Sequence, residues 1–331
     1  RMGGLNEKTP IMGGRRKYGV GMLIGACIGS LILGMLLTAA FAFMNPFGLG
    51  SGSACTEKHT YAAKVWKEGN ISFYGLSYNP DDDFTYADSH WANPTCKDSG
   101  MQSPIDLEDQ TSWGVAANLV PLKAGYSPSP LQVLNNGKAI LFDFAKSDNW
   151  MLTPGGNYSL LNVRFHYPSE HTFNGAKYEM EIQFFHKNQK RHPPADNKFG
   201  IISVFVKEGQ ANPAFPKDEY KFSQFLPTVT GVQHNIQGKF NLLNLLPQNH
   251  ASPSGQYLFY TGSLSRPPCS ENVKYYVYTQ PIEMSREQIN VFSSVTKLLP
   301  AADKNGYNAR PIQSRGPRAV LVSNPAGSSP P

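Results

Sequence analysis

A β-dominated single domain, set behind one membrane-spanning helix, is the architecture this sequence predicts, and three observations predict it. Short apolar runs recur at 131–134, 139–144, 160–167, 178–186, 200–207, 256–261 and 274–279. Most are bounded by Gly, Pro, Asn or Asp, the punctuation of strands rather than helices. Gly and Pro are plentiful, 30 and 26 of 331 residues, as many short strands and long loops require. Residues 19–44 carry no charged side chain at all.

From the N-terminus, residues 1–17 form a basic arm, with Arg1, Lys8, Arg15, Arg16 and Lys17 against Glu7. Five cations less one anion leave +4 of the chain's net +6 there. The rest is close to balanced, which argues against nucleic-acid binding. The apolar run then predicts a transmembrane helix over residues 18–44. Its 26 charge-free residues, at 1.5 Å each, would reach about 39 Å, beyond the roughly 30 Å hydrocarbon core. The cluster Arg15–Lys17 has no counterpart after the run. The positive-inside bias therefore puts everything beyond Asn45 across the membrane. A cleaved signal peptide fits less well, because the run is longer than such segments need. Gly21, Gly25 and Gly29 recur every fourth residue, either a strip for packing another membrane helix or background glycine; both readings stay open.

Residues 45–70 read as a Gly/Ser-rich linker, 71–320 as the globular domain and 321–331 as a flexible Pro/Ser tail. Asp81–Asp83 reads as a solvated loop. Two sequons, at Asn70 and Asn157, would be glycosylated only on the secretory route. Two segments of the domain read as helix, 219–226 and 285–297, the second opening on a Ser285 N-cap with Gln288 at the third position.

The chemistry concentrates in Val163-Arg-Phe-His-Tyr-Pro-Ser-Glu-His-Thr172 and Tyr178-Glu-Met-Glu-Ile-Gln-Phe-Phe-His186. Residues two apart on a strand point to one face, so Arg164 and His166 look into one cavity, and a neighbouring strand brings Gln183. The spacing is that of a three-histidine zinc site, but only His166 is a histidine. Catalytic zinc takes three protein ligands and an open fourth position. An arginine has no lone pair to give, and a glutamine carbonyl is a poor zinc ligand.

Over roughly residues 70–320 the chain resembles an α-type carbonic anhydrase. The resemblance rests on Gln102–Leu107, Leu134–Gly137, Phe165-His-Tyr, Ser169–Thr172, Glu181–His186, Gly262–Cys269 and Asn308–Pro311, seven pieces in the right order. It implies a large, twisted, mostly antiparallel sheet with the site in a central cone. It implies that Arg164, His166 and Gln183 occupy the ligand positions and that Lys138 stands where the proton-shuttle histidine belongs. An ammonium, with an unperturbed pKa near about 10.4, cycles protons poorly at neutrality. Ser265 matches the hydroxyl that orients a zinc-bound hydroxide, Arg266 replaces a small neighbour, and Glu170 matches the carboxylate accepting from that hydroxyl. His171 and Glu181 match groups that orient ligands from behind. Cys96 and Cys269 lie where secreted members carry a disulfide, contributing roughly 4–5 kcal/mol in the chain-entropy model. Cys55 has no evident partner.

His166 alone reads most simply as a hydrogen-bonded cavity histidine, and His171 and His186 as structural core residues. Arg164 near Glu181 or Glu170 reads most simply as a buried ion pair. The sharper reading is an anion pocket, with Arg164, Arg266 and Lys138 converging on bicarbonate or another small oxyanion.

The expectation is therefore a catalytically inactive domain without zinc, a membrane-anchored docking subunit of a larger membrane protein complex. The alternatives are a bicarbonate or anion-binding module, or a carbonic anhydrase with residual CO₂ hydration at an altered metal site. The expected partners are the lipid bilayer, a membrane complex and a small anion, with no nucleic acid. A disulfide implies an oxidising compartment. The first residue, Arg1, fits removal of a presequence, so an organellar membrane is expected. The thylakoid lumen comes first, the mitochondrial intermembrane space second and the secretory route third.

Overall fold

The computed structural model describes residues 84–323, apart from 89–90, 98–99, 109–113, 117–118, 120–121, 145–146, 154, 191–197, 249 and 251–254. The basic arm, the expected membrane helix with Gly21, Gly25, Gly29 and Cys27, the linker with Cys55 and Asn70 all lie outside the described residues. Among the described residues, no helix is long and apolar enough to cross a membrane.

The strands, in chain order, begin with β1 (Asp106–Leu107), β2 (Gly114–Ala116), β3 (Lys123–Gly125), β4 (Ser129–Asn135) and β5 (Ile140–Asp143). They continue with β6 (Trp150–Thr153), β7 (Gly156–His166), β8 (Thr172–Phe173), β9 (Met180–Asn188) and β10 (Phe199–Glu208). The last four are β11 (Gln233–Phe240), β12 (Tyr257–Ser263), β13 (Glu271–Met284) and β14 (Leu321–Ser323). Helix α1 spans Glu219–Ser223 and α2 spans Arg286–Thr296. The main sheet runs β11-β4-β5-β7-β9-β10-β13-β12-β14-β2. Most of its pairs are antiparallel, while β10–β13 and β14–β2 are parallel.

All seven apolar runs become strands of this sheet. The sequence pattern missed β11, an edge strand whose residues are mostly exposed and polar, so it lacks the alternation that marks a half-buried strand. It also took Leu321–Ser323 for the start of a loose tail, but these residues pair with β12 and β2. Both helices form where expected. Asp218 caps α1 through its side chain, and Ser285 with Gln288 closes a capping box on α2.

The sheet separates two apolar clusters. Val163 and Phe165 of β7, with Ile182 and Phe184 of β9, enter the larger one, which α2 covers by stacking Phe292 on Phe165 at 4.5 Å. Phe185, Ile201, Leu258, Leu264, Tyr275 and Val277 fill the second, on the opposite face. Strand alternation therefore turns Arg164, His166, Glu181 and Gln183 to the side of the second cluster. A register shift between Leu160 and Asn162 against β9 lets Leu161 join that second face as well.

A third small cluster, Phe84, Tyr86, Trp91, Cys96, Cys269 and Ala301, pins the N-terminal segment to the loop after β12. The Cys96–Cys269 disulfide forms, bridging 173 residues. Closing so long a loop restricts the unfolded chain. Replacing both cysteines by serine should lower stability by about 2–5 kcal/mol, read as a shift in the denaturant midpoint. An unchanged midpoint would show that the bond contributes nothing.

Candidate functional site

The face of β7 and β9 opposite the large core gathers the residues singled out in sequence. Arg164 pairs across strands with Gln183 and His166 with Glu181, so the four share one patch. All four are buried.

Gln183 occupies the middle of a carboxylate cage. Its two amide protons are both committed, one to Glu170 Oε2 at 2.9 Å and one to Glu181 Oε1 at 2.9 Å. The amide orientation is thus fixed by its partners. Glu181 also accepts from Ser203 Oγ at 2.6 Å, His171 Nδ1 at 2.8 Å and the His171 main-chain N–H at 2.8 Å. Burial alone would raise the Glu181 carboxyl, but His171 beside it and the bonds from His171, Ser203 and Gln183 hold it well below the usual carboxylate range. His171 passes its other nitrogen to Tyr260 Oη at 2.6 Å. Glu170 accepts from the Arg310 main-chain N–H at 3.2 Å as well as from Gln183.

His166 Nδ1 lies 2.8 Å from the Asn308 carbonyl oxygen, which only accepts, so Nδ1 carries the proton and Nε2 keeps the lone pair. That Nε2 is buried and has no hydrogen-bond partner. Asn308 holds this end of β7 through its side chain too, accepting from Tyr167 N and donating to Phe165 O.

Arg164 does not form the buried ion pair that its neighbours suggested. Both carboxylates are already engaged, and among the described residues none lies within ion-pair distance of the guanidinium. Instead Arg164 Nε donates to Asn162 Oδ1 at 3.0 Å, and the guanidinium sits 4.7 Å from the Phe185 ring centre. Burial, then the like charge of Arg266, pull its pKa well below the ordinary arginine value. The Lys138 ammonium donates to the Phe84 carbonyl at 2.7 Å and lies over the Phe84 ring. Ser265 is buried, and Arg266 half-buried, on the loop that Cys269 closes by donating to the Arg266 carbonyl.

Two residues carry weight that the sequence reading did not assign. Tyr86 is buried where Glu170, Arg266, Arg164 and Arg310 all act on its phenol; burial first, then Glu170, push that phenol far above its usual pKa. Arg310 ties Glu170's surroundings to the N-terminal segment, donating to Gln102 Oε1, Ser103 O and Cys96 O while stacking 4.8 Å from Trp91. Its motif was visible in sequence; its bonds were not.

With this geometry in view, a family model described as eukaryotic-type carbonic anhydrase matches residues 86–324. The chain belongs to the carbonic anhydrase family. Alpha carbonic anhydrase 7 of Arabidopsis thaliana is 29% identical over 232 residues, covering 70% of this chain and 77% of that protein. Carbonic anhydrase 1 of Oryctolagus cuniculus is 31% identical over 245 residues, covering 67% and 98%. The α-carbonic anhydrase of Thermovibrio ammonificans, solved with the inhibitor sulfanilamide, superposes with a TM-score of 0.61 at 30% identity, covering 72% of this chain and 99% of that one.

These relatives overturn the expectation of a non-enzyme, because the family is catalytic and relatives at this identity are named carbonic anhydrases. Carbonic anhydrases normally bind zinc. The residues at this site do not fit it: one imidazole lone pair, one amide whose NH₂ is bound to carboxylates, and one guanidinium. Among the described residues no three His, Cys, Asp or Glu side chains form a group able to hold a metal ion.

Two buried groups behind the site set its acid tolerance. Burial holds the His186 imidazole neutral, down to about 3, with Nδ1 donating to Phe184 O and Nε2 accepting from Tyr126 Oη. Glu181 is depressed as well. For both, the unfolded chain binds protons that the folded one refuses. Stability should be full above about pH 6.5, then fall as the unfolded histidine and, below about pH 4.5, the unfolded glutamate protonate. His186→Gln should flatten the loss between about pH 6 and 4, measured as urea midpoints; an identical pH profile in the variant would refute the assignment.

Proposed function

We propose that this carbonic-anhydrase-family domain handles the CO₂–bicarbonate pair by holding bicarbonate against Arg164 in the cone. One observation carries the reading: a buried guanidinium that has a second arginine near it and no carboxylate within ion-pair distance among the described residues. An anion that accepts from Arg164 supplies the charge that the neighbouring carboxylates, already engaged, do not. Family membership supports bicarbonate over other anions.

The rival, purely structural role makes the opposite stability prediction. Arg164→Met should weaken bicarbonate binding at least about tenfold by calorimetry on the full chain in detergent, the worth of charge-assisted hydrogen bonds. It should also leave stability unchanged or raise it by roughly 1–3 kcal/mol, because an unpaired buried charge is removed. Loss of stability with unaltered bicarbonate binding would sink the proposal.

Hydration of CO₂ is the second reading, favoured by the lone pair on His166 Nε2. There the imidazole takes a proton from water as the water oxygen bonds to carbon. Bicarbonate forms with its charge beside Arg164, and the imidazolium returns the proton to solvent. A hydration rate above background that vanishes in His166→Phe is its test.

The proposal extends, from sequence, to the charge-free run 19–44 as an anchor holding the domain at an organellar bilayer beside a membrane complex. The disulfide supports the oxidising side. The protein should stay in the membrane pellet after an alkaline carbonate wash; its appearance in the supernatant would count against the anchor.

A further inference from the structure

Away from the cone, where the ends of β10 and β13 meet the segment that follows β11, lies a cavity of about 610 Å³. A bulge in β13 shapes its wall. Val204 pairs with Tyr278 and Val206 with Ile282, so Thr279, Gln280 and Pro281 together face Phe205 alone. Buried Asn212 stitches two walls together, its amide donating to Asn244 O at 3.1 Å and to Glu283 O at 3.3 Å. Leu243, Leu246 and Ile282 give the cavity apolar surface. The carboxamides of Gln210, Asn244, Gln248 and Gln280 also line it, and among the described residues none of these four side chains makes a hydrogen bond. Its two formal charges, Lys207 and Glu283, pair with one another at 3.1 Å. The cavity therefore suits an uncharged occupant with hydrogen-bonding groups.

One segment of this chain fits that description and begins close by. Residues 324–331, Asn-Pro-Ala-Gly-Ser-Ser-Pro-Pro, carry no charged side chain. They lie outside the described residues and follow directly on β14. β14 is antiparallel to β12, and β12 to β13, so β14 points at Ser323 towards the end of β13 that carries Gln280 and Pro281. Ser323 Oγ accepts from Tyr257 N at 3.0 Å, and Tyr257 pairs with Tyr278. Tyr278 Oη in turn donates to the carbonyl of His250, a residue of the cavity wall, at 3.3 Å. Strand spacings put Gln280 about 12 Å from Ser323, and Glu283 about 20 Å. Eight extended residues span about 26 Å.

We propose that residues 324–331 dock in this cavity, as an extended Pro-rich segment bound to its own domain. Pro325, Pro330 and Pro331 keep their carbonyls but have no N–H, so the segment offers more acceptors than donors. The four carboxamides supply NH₂ donors, and the proline rings cover Leu246 and Ile282. Proline also presets the extended conformation, which lowers the ordering cost. Tethering does the rest. A short linker gives an effective concentration on the order of 1 mM, so a free-peptide Kd of about 0.1 mM yields about tenfold more docked than undocked chain. Docking holds β14, three residues long, in the sheet. It is independent of what the cone binds.

The full chain in detergent, with a diazirine-bearing amino acid in place of Ser328, tests this by photo-cross-linking. Cross-links should fall within one chain, on peptides containing Leu243–Pro247 or Gln280–Glu283, read by mass spectrometry after proteolysis. Gln280→Ala combined with Asn244→Ala should weaken docking roughly 30-fold, as two lost hydrogen bonds do, and so cut the yield about threefold. The denaturant midpoint of that double variant, measured alongside, should stay close to the parent's. Cross-links that miss both stretches, or that join two chains, overturn the proposal. So does an unchanged yield in the double variant.

Discussion

A buried guanidinium with no carboxylate in ion-pair distance among the described residues governs the cone. Taking a guanidinium out of water costs several kcal/mol, recovered only by a well-placed opposite charge. Two carboxylates stand close by, yet both are spent. Glu181 accepts four hydrogen bonds from His171, Ser203 and Gln183, and Glu170 accepts from Gln183 and the Arg310 main chain. Gln183 is the residue that arranges this. By bridging the two acids with one NH₂ group it satisfies them internally, and so withholds them from Arg164. Partial relief comes from Asn162 and the face of Phe185, neither of which carries charge.

The frame around the cone does not depend on that cation. The larger core lies on the other side of β7 and β9, and α2 seals it. The buried network behind the site runs from Glu181 through His171 and Tyr260 to Ser103 with every member bonded. Such networks rigidify a core when complete. A family scaffold can therefore keep its strand geometry while the side chains at the apex vary, here a guanidinium and an amide among them. Fold and site answer to different residues, which is why membership alone does not fix the chemistry.

How much of this was legible in sequence follows the same division. The seven strand runs and both helices were readable because apolar periodicity and capping residues are local signals. β11 was not, since an exposed edge strand has no buried face to write a pattern, and Leu321–Ser323 was lost to the Pro/Ser composition that follows it. At the site, alternation along β7 correctly put Arg164 and His166 on one face. The sequence could not say which carboxylate Arg164 would meet, because that depended on Gln183 using both its protons first. Local pattern could not show the partner of Lys138 either, since the Phe84 carbonyl lies 54 residues away. Tyr86 arrives by the same route, so no local pattern announced it.

The lone pair on His166 and the charge on Arg164 are two imbalances on one face of β7. Strain of this kind persists in a folded protein when the rest of the structure over-determines it, and it clusters where ligands bind. Arg164 and His166 lie on the face of β7 opposite Val163 and Phe165, so the larger core does not require their polarity. On one face stand a buried acceptor with no partner and a guanidinium with no carboxylate in ion-pair distance among the described residues. A small anion accepting from Arg164 would relieve the more costly of the two, the buried charge.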